Sequence, residues 1–251
     1  MARILFAGES WSVTSTHAKG FDTFTTTHYA EGGDAIIAAW RDGGHEVTYQ
    51  PSHVAATEFP TTVEELDQWD VVVLSDIGSN TLLLPASTFQ GGRKHGNRLT
   101  ALRDWTLGGG GFAMIGGYLT FQGIEAKANY RTTPVADVLP IVMEIGDDRV
   151  ERPDGVRPVI TGEHVTVDGL AGVGEELPEL LGYQRFVARP GASTLMTVDD
   201  EPLLVVGEAG RGRTLAYASD IGPHWAPTEF TDWPGFATMW QRAATWLAGQ
   251  D

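Results

Sequence analysis

Short apolar runs alternate with amphipathic stretches along the first half of the chain. Residues 3–7 and 70–75 are continuous apolar runs of the kind that form strands buried on both faces of a sheet. Residues 34–42 carry apolar side chains at helical spacing before a Gly-Gly pair, and residues 45–50 resume as a strand. Residues 62–69 open with the capping-box pattern Thr-Val-Glu-Glu and are predicted to be helical. The order of these elements is βαβαβ.

The same alternation continues with a helix over residues 97–107 and a strand over residues 112–115. The four glycines between them end a helix instead of opening one, so we interpret them as a helix stop and not as a phosphate-binding loop. Strands that alternate with helices predict a parallel sheet covered on both faces, with ligands beyond the carboxyl ends of the strands. Three segments are expected on that rim: residues 8–11, 76–80 and 116–122.

Two long segments interrupt this alternation. Residues 9–33 are rich in Ser, Thr, His and aromatic residues without clear periodicity, and we expect them to form a long functional loop. A second long loop is expected before residue 97. His17 and His28 lie in the first loop, where a solvated position is the simplest interpretation.

The later part of the chain has a different pattern. Residues 138–218 contain short strands separated by Pro and Gly turns, which predicts an antiparallel extension of the sheet. A hairpin is expected between residues 203–207 and 214–218. The final helix is predicted to begin near Pro234, a favourable first-turn residue. No internal repeat or linker suggests a second domain, so we expect one domain over residues 1–251.

Composition and charge narrow the range of partners. The chain has 251 residues with 42% hydrophobic residues, no Cys and a formal net charge of −16. This charge repels phosphate backbones, which argues against nucleic acid and anionic membranes as partners. No apolar run approaches a membrane span, and no secretory signal pattern is present, so we expect a cytoplasmic protein. The eight Trp residues allow an aromatic subunit interface, which leaves a homo-oligomer open.

The strand at residues 112–115 runs into Gly116-Gly117-Tyr118-Leu119-Thr120, which resembles a nucleophile elbow. On these residues the chain resembles the class I glutamine amidotransferases, whose elbow is Gly-x-Cys-x-Gly. Gly116 takes the place of the first Gly, Tyr118 that of the Cys, and Thr120 that of the last Gly. Because no other side chain supplies a thiolate, a Cys-dependent glutaminase is excluded.

A late strand followed by Ser219-Asp220-Ile221-Gly222-Pro223-His224 makes His224 the positional counterpart of that family's catalytic His, with the following Glu displaced to Glu229. The likeness is closer to the branch of ThuA-like and "putative glutamine amidotransferase" bacterial cytoplasmic proteins, which lack the Cys. The resemblance covers nearly the whole chain. It implies a flavodoxin-like, three-layer αβα sandwich with a mostly parallel sheet and a late antiparallel extension.

Polar and aromatic side chains are predicted to converge on the carboxyl rim of this sheet. Carboxylates with a His are sufficient for acid–base chemistry or for a divalent metal, and aromatic rings stack on sugar faces. The leading hypothesis is an enzyme, or a descendant of one, that acts on a small polar metabolite such as a carbohydrate derivative. The sequence identifies no cofactor and no specific metal ligand. The predicted catalytic residues are Tyr118, His224 and Asp76, and the predicted substrate-binding residues are Glu9, Trp11, Gly117, Phe121, Gln122, Asp220 and Trp225.

Two alternatives stay open. The first is a non-catalytic binding or assembly module that kept the fold and lost the chemistry. The second is a serine hydrolase that uses Ser10 or Ser219, although neither serine lies at the Gly-rich elbow.

Overall fold

A computed structural model describes residues 1–170 and 176–250 of the chain. Its main sheet has eight strands in the order β4-β1-β5-β6-β14-β13-β12-β9. The strands are β1 Arg3–Gly8, β2 Ser10–Lys19, β3 Asp22–Glu31, β4 Glu46–Gln50, β5 Val71–Ser75, β6 Gly111–Ile115, β7 Ile141–Met143, β8 Arg149–Val156, β9 Val159–Ile160, β10 Leu180–Gln184, β11 Phe186–Ala188, β12 Ser193–Val198, β13 Glu201–Ala209 and β14 Gly212–Tyr217. The helices are α1 Asp34–Asp42, α2 Ser52–Glu58, α3 Val63–Leu66, α4 Ser79–Leu83, α5 Ala86–Phe89, α6 Arg98–Leu107, α7 Thr228–Thr231 and α8 Pro234–Leu247, with two short 3-10 helices, η1 Ile124–Ala126 and η2 Pro134–Asp137.

The first five strands of the sheet, from β4 to β14, are all parallel. All residues of β5 and β6 are buried, which explains their continuous apolar sequences, because helices cover both faces of a parallel sheet. The carboxyl ends of β1, β5, β6 and β14 therefore lie side by side at one edge. The predicted parallel α/β sheet is confirmed.

Helices form two layers, one made by α1 against α8 and the other by α2, α3, α4 and α6. The predicted cap at Thr62 is present, since its hydroxyl accepts from the Glu65 N–H. Helix α6 is capped as well, because the Asn97 side chain accepts from the N–H groups of Leu99 and Thr100. Helix α3 ends at Leu66, earlier than predicted. Among residues 1–170 and 176–250, no helix combines the length and apolar character that crossing a membrane requires.

The late part of the chain extends the sheet as predicted. Strands β14 and β13 form the expected hairpin, with Gly210 at a φ of 62° in its turn, and β12 and β9 continue the sheet in antiparallel fashion. Two further two-stranded ribbons, β8 with β10 and β7 with β11, stand apart from the main sheet. The first of them reaches the rim described below.

The prediction of two long loops is wrong. Residues 9–33 are dominated by β2 and β3, which pair through ten consecutive residue pairs from Ser10 with Glu31 to Lys19 with Asp22. We call this hairpin, residues 10–31, the β arm. Most of its side chains are polar and exposed, so only Trp11 and Val13 mark an apolar period in the sequence. The second stretch contains the short helices α4 and α5.

Candidate functional site

Four adjacent strand ends bring polar groups together, as the alternation of elements predicts. Glu9 follows β1, Asp76 follows β5, Gly116 and Gly117 follow β6, and Asp220 comes shortly after β14. Because these strands are neighbours in the sheet, the side chains that follow them share one rim.

The backbone at this rim is strained in a way that the sequence does not reveal. Glu9 and Asp76 have φ angles of 48° and 42°, a left-handed conformation that side-chain-bearing residues rarely adopt. Gly8, at φ 112°, passes so close to β5 that a Cβ there would lie 1.8 Å from the Ser75 carbonyl oxygen. These turns direct the two carboxyl groups across the strand ends.

Glu9 and Asp220 form a buried carboxyl pair. Both side chains are fully buried. Glu9 Oε2 accepts from the Ser75 hydroxyl at 2.6 Å, and Asp220 Oδ1 accepts from the backbone N–H groups of Ile221 and Gly222 at 2.7 and 3.2 Å. Within the described part of the chain, Glu9 Oε1 and Asp220 Oδ2 accept no hydrogen bond of ordinary geometry.

The Glu9 carboxyl lies buried under the influence of two other carboxyl groups, those of Asp220 and Asp76. Burial, followed by the charges of Asp220 and Asp76, raises the pKa of Glu9 well above its usual value. These surroundings therefore favour the protonated form of Glu9.

Asp76 fixes the turn that follows β6. Its Oδ1 accepts from the Leu119 N–H at 2.6 Å, and its own N–H donates to the Thr120 hydroxyl at 2.9 Å. Burial and then the Asp220 charge raise the pKa of Asp76 to about 6, while the Leu119 bond and His224 oppose that shift. Gly117 lies directly against it, at a φ of 144° that places a hypothetical Cβ 2.9 Å from Asp76 Cβ.

His224 is the group through which this cluster meets solvent. Its Nδ1 lies 3.4 Å from Asp220 Oδ2, and its side chain is 32% exposed. The imidazole lies between the rings of Trp11 and Tyr118, with centroid distances of 4.9 and 5.3 Å. The Asp220 carboxyl raises the pKa of His224 against the opposing effect of burial.

Tyr118, at the position of the family's nucleophile, is held by residues that the sequence analysis missed. Its hydroxyl donates to Glu151 Oε1 at 3.1 Å, and the guanidinium of Arg149 lies 5.0 Å from its ring centroid. Trp225 Nε1 donates to Glu151 Oε2 at 3.0 Å. Burial and the Glu151 charge raise the pKa of Tyr118, so its phenol remains protonated.

Gln184 and Asp148, also missed, lock the segment after β6. Gln184 Oε1 accepts from the Gly117 N–H at 3.1 Å, while its amide nitrogen donates to the Thr120 carbonyl and to Asp148. Asp148 in turn accepts from the N–H groups of Gln122 and Gly123. Gln184 lies in β10, Glu151 lies in β8, and Asp148 directly precedes β8. A prediction based on the ends of parallel strands does not include residues on such an antiparallel ribbon.

Two predicted binding residues lie outside the group. Phe121 is fully buried and packs against Phe186 with a centroid distance of 5.1 Å, so a ligand has no access to its ring. Gln122 is buried, and its side chain bonds the backbone of Ile145 and Arg131. The other predicted residues lie together at the rim: Glu9, Trp11, Asp76, Gly117, Tyr118, Asp220, His224 and Trp225.

Neither candidate serine is placed as a nucleophile. The Ser219 hydroxyl is fully buried and donates to the Gly182 carbonyl at 2.8 Å. The Ser10 hydroxyl accepts from the Ser52 N–H at 2.7 Å at the base of the β arm. Both hydroxyls therefore form hydrogen bonds with nearby backbone groups.

A cleft of about 410 Å³ lies beside Trp11, between the base of the β arm and the start of α2. Within the described residues, no group of three or more His, Cys, Asp and Glu side chains is arranged to hold a metal ion. The cleft is lined by Ser10, Trp11, Ser12, Tyr29, Ser52 and His53.

The doubly wound sheet, flanked by two helical layers and closed by a strand-end turn at Gly116–Gly117, defines a flavodoxin-like α/β sandwich of the class I amidotransferase type. Residues 3–249 match the profile of the family described as "Putative glutamine amidotransferase". The chain belongs to this family. It carries Tyr118 where the amidotransferase elbow has its Cys, so the family name does not transfer a glutaminase activity.

Two solved structures are similar to the chain over nearly its full length. Cytoplasmic protein STM1381 of Salmonella typhimurium LT2 is 43% identical, with 98% of this chain and 99% of that chain covered and a TM-score of 0.93. Cytoplasmic protein STM3548 of Salmonella typhimurium is 42% identical, with 97% and 98% covered and a TM-score of 0.93. A putative ThuA-like protein of Parabacteroides merdae shares the fold at 12% identity, with 98% and 90% covered and a TM-score of 0.56. No curated protein matches the chain.

Proposed function

We propose that this protein binds a small polar metabolite at the carboxyl rim of the sheet and acts on it by acid–base chemistry without a covalent nucleophile. The observation that carries this proposal is the contact between His224 and the buried carboxyl of Asp220, with the imidazole partly exposed between two aromatic rings. The names of the two Salmonella proteins support a cytoplasmic location.

The proposed chemistry uses His224 as the proton carrier. Because Nδ1 faces Asp220, Nε2 is the ring nitrogen that a ligand can engage. The carboxylate stabilises the imidazolium, so that His224 gains a proton from the ligand or returns one to it. The phenol of Tyr118, kept protonated and oriented by Glu151, supplies a hydrogen-bond donor beside it.

A carbohydrate derivative is the substrate class that these surroundings favour. Trp11 contributes to the cleft and also contacts the imidazole, so one aromatic ring joins the cleft to His224. The cleft adds hydroxyl groups of Ser12 and Tyr29 and the ring of His53. Sugars are bound in proteins by this combination of ring faces and hydroxyl or imidazole hydrogen-bonding partners.

A non-catalytic binding module is the second candidate. It is favoured by the complete burial of Glu9 and Asp220, which keeps both carboxyls from touching a ligand, and by the Tyr at the nucleophile position. The two candidates share the ligand site and differ only in whether the ligand is converted.

The test is a binding and turnover screen with neutral monosaccharides, amino sugars and sugar acids. Binding is measured by calorimetry, and conversion is followed by NMR of each compound incubated with the protein. We expect one compound class to bind the wild type and to bind His224→Gln at least tenfold more weakly. His95→Gln is the matched control, since His95 lies in an exposed loop.

Three outcomes separate the alternatives. Binding with conversion that His224→Gln abolishes supports the enzyme. Binding without conversion supports the binding module. Equal affinity in His224→Gln and His95→Gln removes His224 from the site and overturns the proposal.

A further inference from the structure

The β arm is a long ribbon that the rest of the fold leaves uncovered. Each strand has ten residues, which at about 3.3 Å per residue gives an arm about 33 Å long. Among the described elements, neither strand packs extensively against anything but the other. The contacts at its base involve Ser10 with Ser52 and Tyr29 with His53.

An isolated two-stranded hairpin is marginally stable in water, because it has no second layer on which to bury a face. The arm nevertheless keeps an unbroken register of ten pairs without a bulge. Thr14 faces Thr27 with hydroxyl oxygens 3.1 Å apart, and Phe24 stacks on His17 at 4.5 Å. Cross-strand side-chain pairs of this kind stabilise a hairpin only slightly. A partner that covers the arm would therefore stabilise its folded form.

The free edge of β3 is the surface suited to that partner. Every side chain from Asp22 to Tyr29 is exposed, whereas Trp11, Val13 and Ser15 on β2 are half-buried. Proteins protect exposed edges with Lys, Pro or bulges, and residues 23–30 contain no charged residue, no Pro and no bulge. An unprotected edge of β-branched and aromatic residues is a template for another strand.

The direction of each backbone group follows from the turn. Lys19 and Asp22 flank a two-residue loop and form a hydrogen-bonded pair, and the two pair types alternate from there. On β3 the N–H and C=O groups of Thr25 and Thr27 therefore point away from β2, as do those of Thr23. They form the row that a further strand would meet.

The arm is a largely uncharged surface on which a second copy of this chain can dock without bringing charged side chains together. The protein carries a formal net charge of −16, so two bodies repel each other wherever acidic surfaces approach. Between Ser10 and Ala18, and again between Thr23 and Ala30, the arm has no charged residue. An antiparallel edge is also self-complementary about a two-fold axis, which makes the same surface serve both copies.

We propose that the β3 edge pairs with the β3 edge of a second copy of this chain, so that two arms form a four-stranded antiparallel sheet across a two-fold axis. Thr26 lies on the axis, and Thr25 of each copy faces Thr27 of the other. This register pairs residues 23–29 of the uncharged stretch and sets Phe24, which is 49% exposed, opposite His28 of the second copy. The dimer has two arms joined in this way.

Sedimentation and hydrogen exchange test the proposal on the full chain. We expect a monomer–dimer equilibrium between micromolar and submillimolar concentration. In the dimer, the amides of Thr23, Thr25 and Thr27 are protected from exchange, and this protection falls on dilution. The amides of Thr14 and Thr16 point outward from β2, so they exchange rapidly at every concentration and serve as the internal control.

A matched pair of substitutions completes the test. Thr25→Pro removes an outward N–H of β3, while Thr16→Pro removes an outward N–H of β2 at the position directly opposite. Each change removes an N–H that makes no hydrogen bond within the hairpin, so we expect the two changes to destabilise the hairpin itself equally. We expect Thr25→Pro to weaken dimerisation at least tenfold relative to Thr16→Pro.

Several results overturn the proposal. These are a wild type that stays monomeric over the whole range, a dimer in which Thr25→Pro and Thr16→Pro have equal effects, and a dimer whose Thr23, Thr25 and Thr27 amides exchange as fast as those of Thr14 and Thr16. If the Pro variants disturb the arm itself, the exchange pattern of the wild type still decides.

Discussion

Oδ2 of the fully buried Asp220 lies 3.4 Å from Nδ1 of His224, whose ring is 32% exposed. Solvent reaches the imidazole but not the carboxyl, so the interaction is screened less than an ion pair between two surface groups. The imidazole therefore carries its proton under the influence of a charge that no ligand can contact. The protonation of His224 at the rim therefore depends on the charge of the buried Asp220.

The first prediction is that Asp220→Asn lowers the pKa of His224. Asp220 is the main cause of the raised pKa, and removal of its charge leaves the opposing effect of burial. Titration of the His224 ring protons by NMR measures this change. An unchanged His224 titration would show that the two groups are uncoupled in solution.

The second prediction concerns stability and pH. Because the pKa of His224 is raised in the folded protein, the protonated ring stabilises the fold fully below about pH 6.5, the unfolded value. That stabilisation is lost as the pH rises through the folded pKa. His224→Gln is therefore expected to lose stability in acid and to approach the wild type in alkali, as measured by urea unfolding at a series of pH values. A deficit of constant size would contradict this.

The third prediction is that Glu9→Gln stabilises the protein at alkaline pH. A carboxyl with a raised folded pKa contributes stability in acid, and this contribution falls as the pH rises above the unfolded value. The Gln amide is neutral like the protonated carboxyl, and its oxygen can still accept from the Ser75 hydroxyl. We expect a gain of about 1–2 kcal/mol at pH 8 and little gain at pH 5 by urea unfolding. A loss at pH 8 would mean that Glu9 is ionised there.

The fourth prediction is that Gly117→Ala destabilises the fold by about 2–4 kcal/mol. A Cβ at this position meets Asp76 at 2.9 Å, on a backbone with φ 144°. Gly44→Ala is the control, because Gly44 has a φ of 79° but nothing within 4 Å of its Cβ position, and it is expected to cost about 1 kcal/mol. Equal losses in urea unfolding would show that the close approach to Asp76 is relaxed in solution.

The fifth prediction is that Arg98→Lys costs about 2–3 kcal/mol. The buried guanidinium donates to the carbonyls of Ala55, Ala56 and Thr57 at the end of α2, at 3.0 to 3.3 Å. A lysine offers one ammonium and cannot reach three carbonyls in a planar fork. Arg41→Lys, on an exposed position of α1, is the control and should be nearly neutral in thermal unfolding.

The parallel core of this fold was predictable from sequence because its signals are local. The apolar run that ends at Ser75 forms β5 as expected, and the predicted cap at Thr62 is present. The β arm was not predicted, since most of its side chains are polar and exposed, and Trp11 and Val13 alone give β2 a short apolar contrast with a period of two. Its other local signals are the β-branched Thr residues of β3 and Gly20, at a turn with φ 66°.

Residues of the rim could be predicted only where they directly follow a parallel strand. Glu9, Asp76 and Asp220 follow parallel strands, and the structure brings all three together. Glu151 and Gln184 arrive from the ribbon of β8 and β10, whose pairing depends on contacts between distant segments. The left-handed backbone at Glu9 likewise has no counterpart in the residue pattern of the sequence.

Acidic side chains lie beside the position where the class I amidotransferases have their nucleophile. Tyr118 stands among carboxyl groups, with Glu151 bonded to its hydroxyl and Asp76 against the preceding glycine. Burial and the Glu151 charge raise the pKa of the phenol against the opposing effect of Arg149. The same influences would raise the pKa of a thiol at this position, so we expect Tyr118→Cys to give a weakly acidic, poorly nucleophilic thiol.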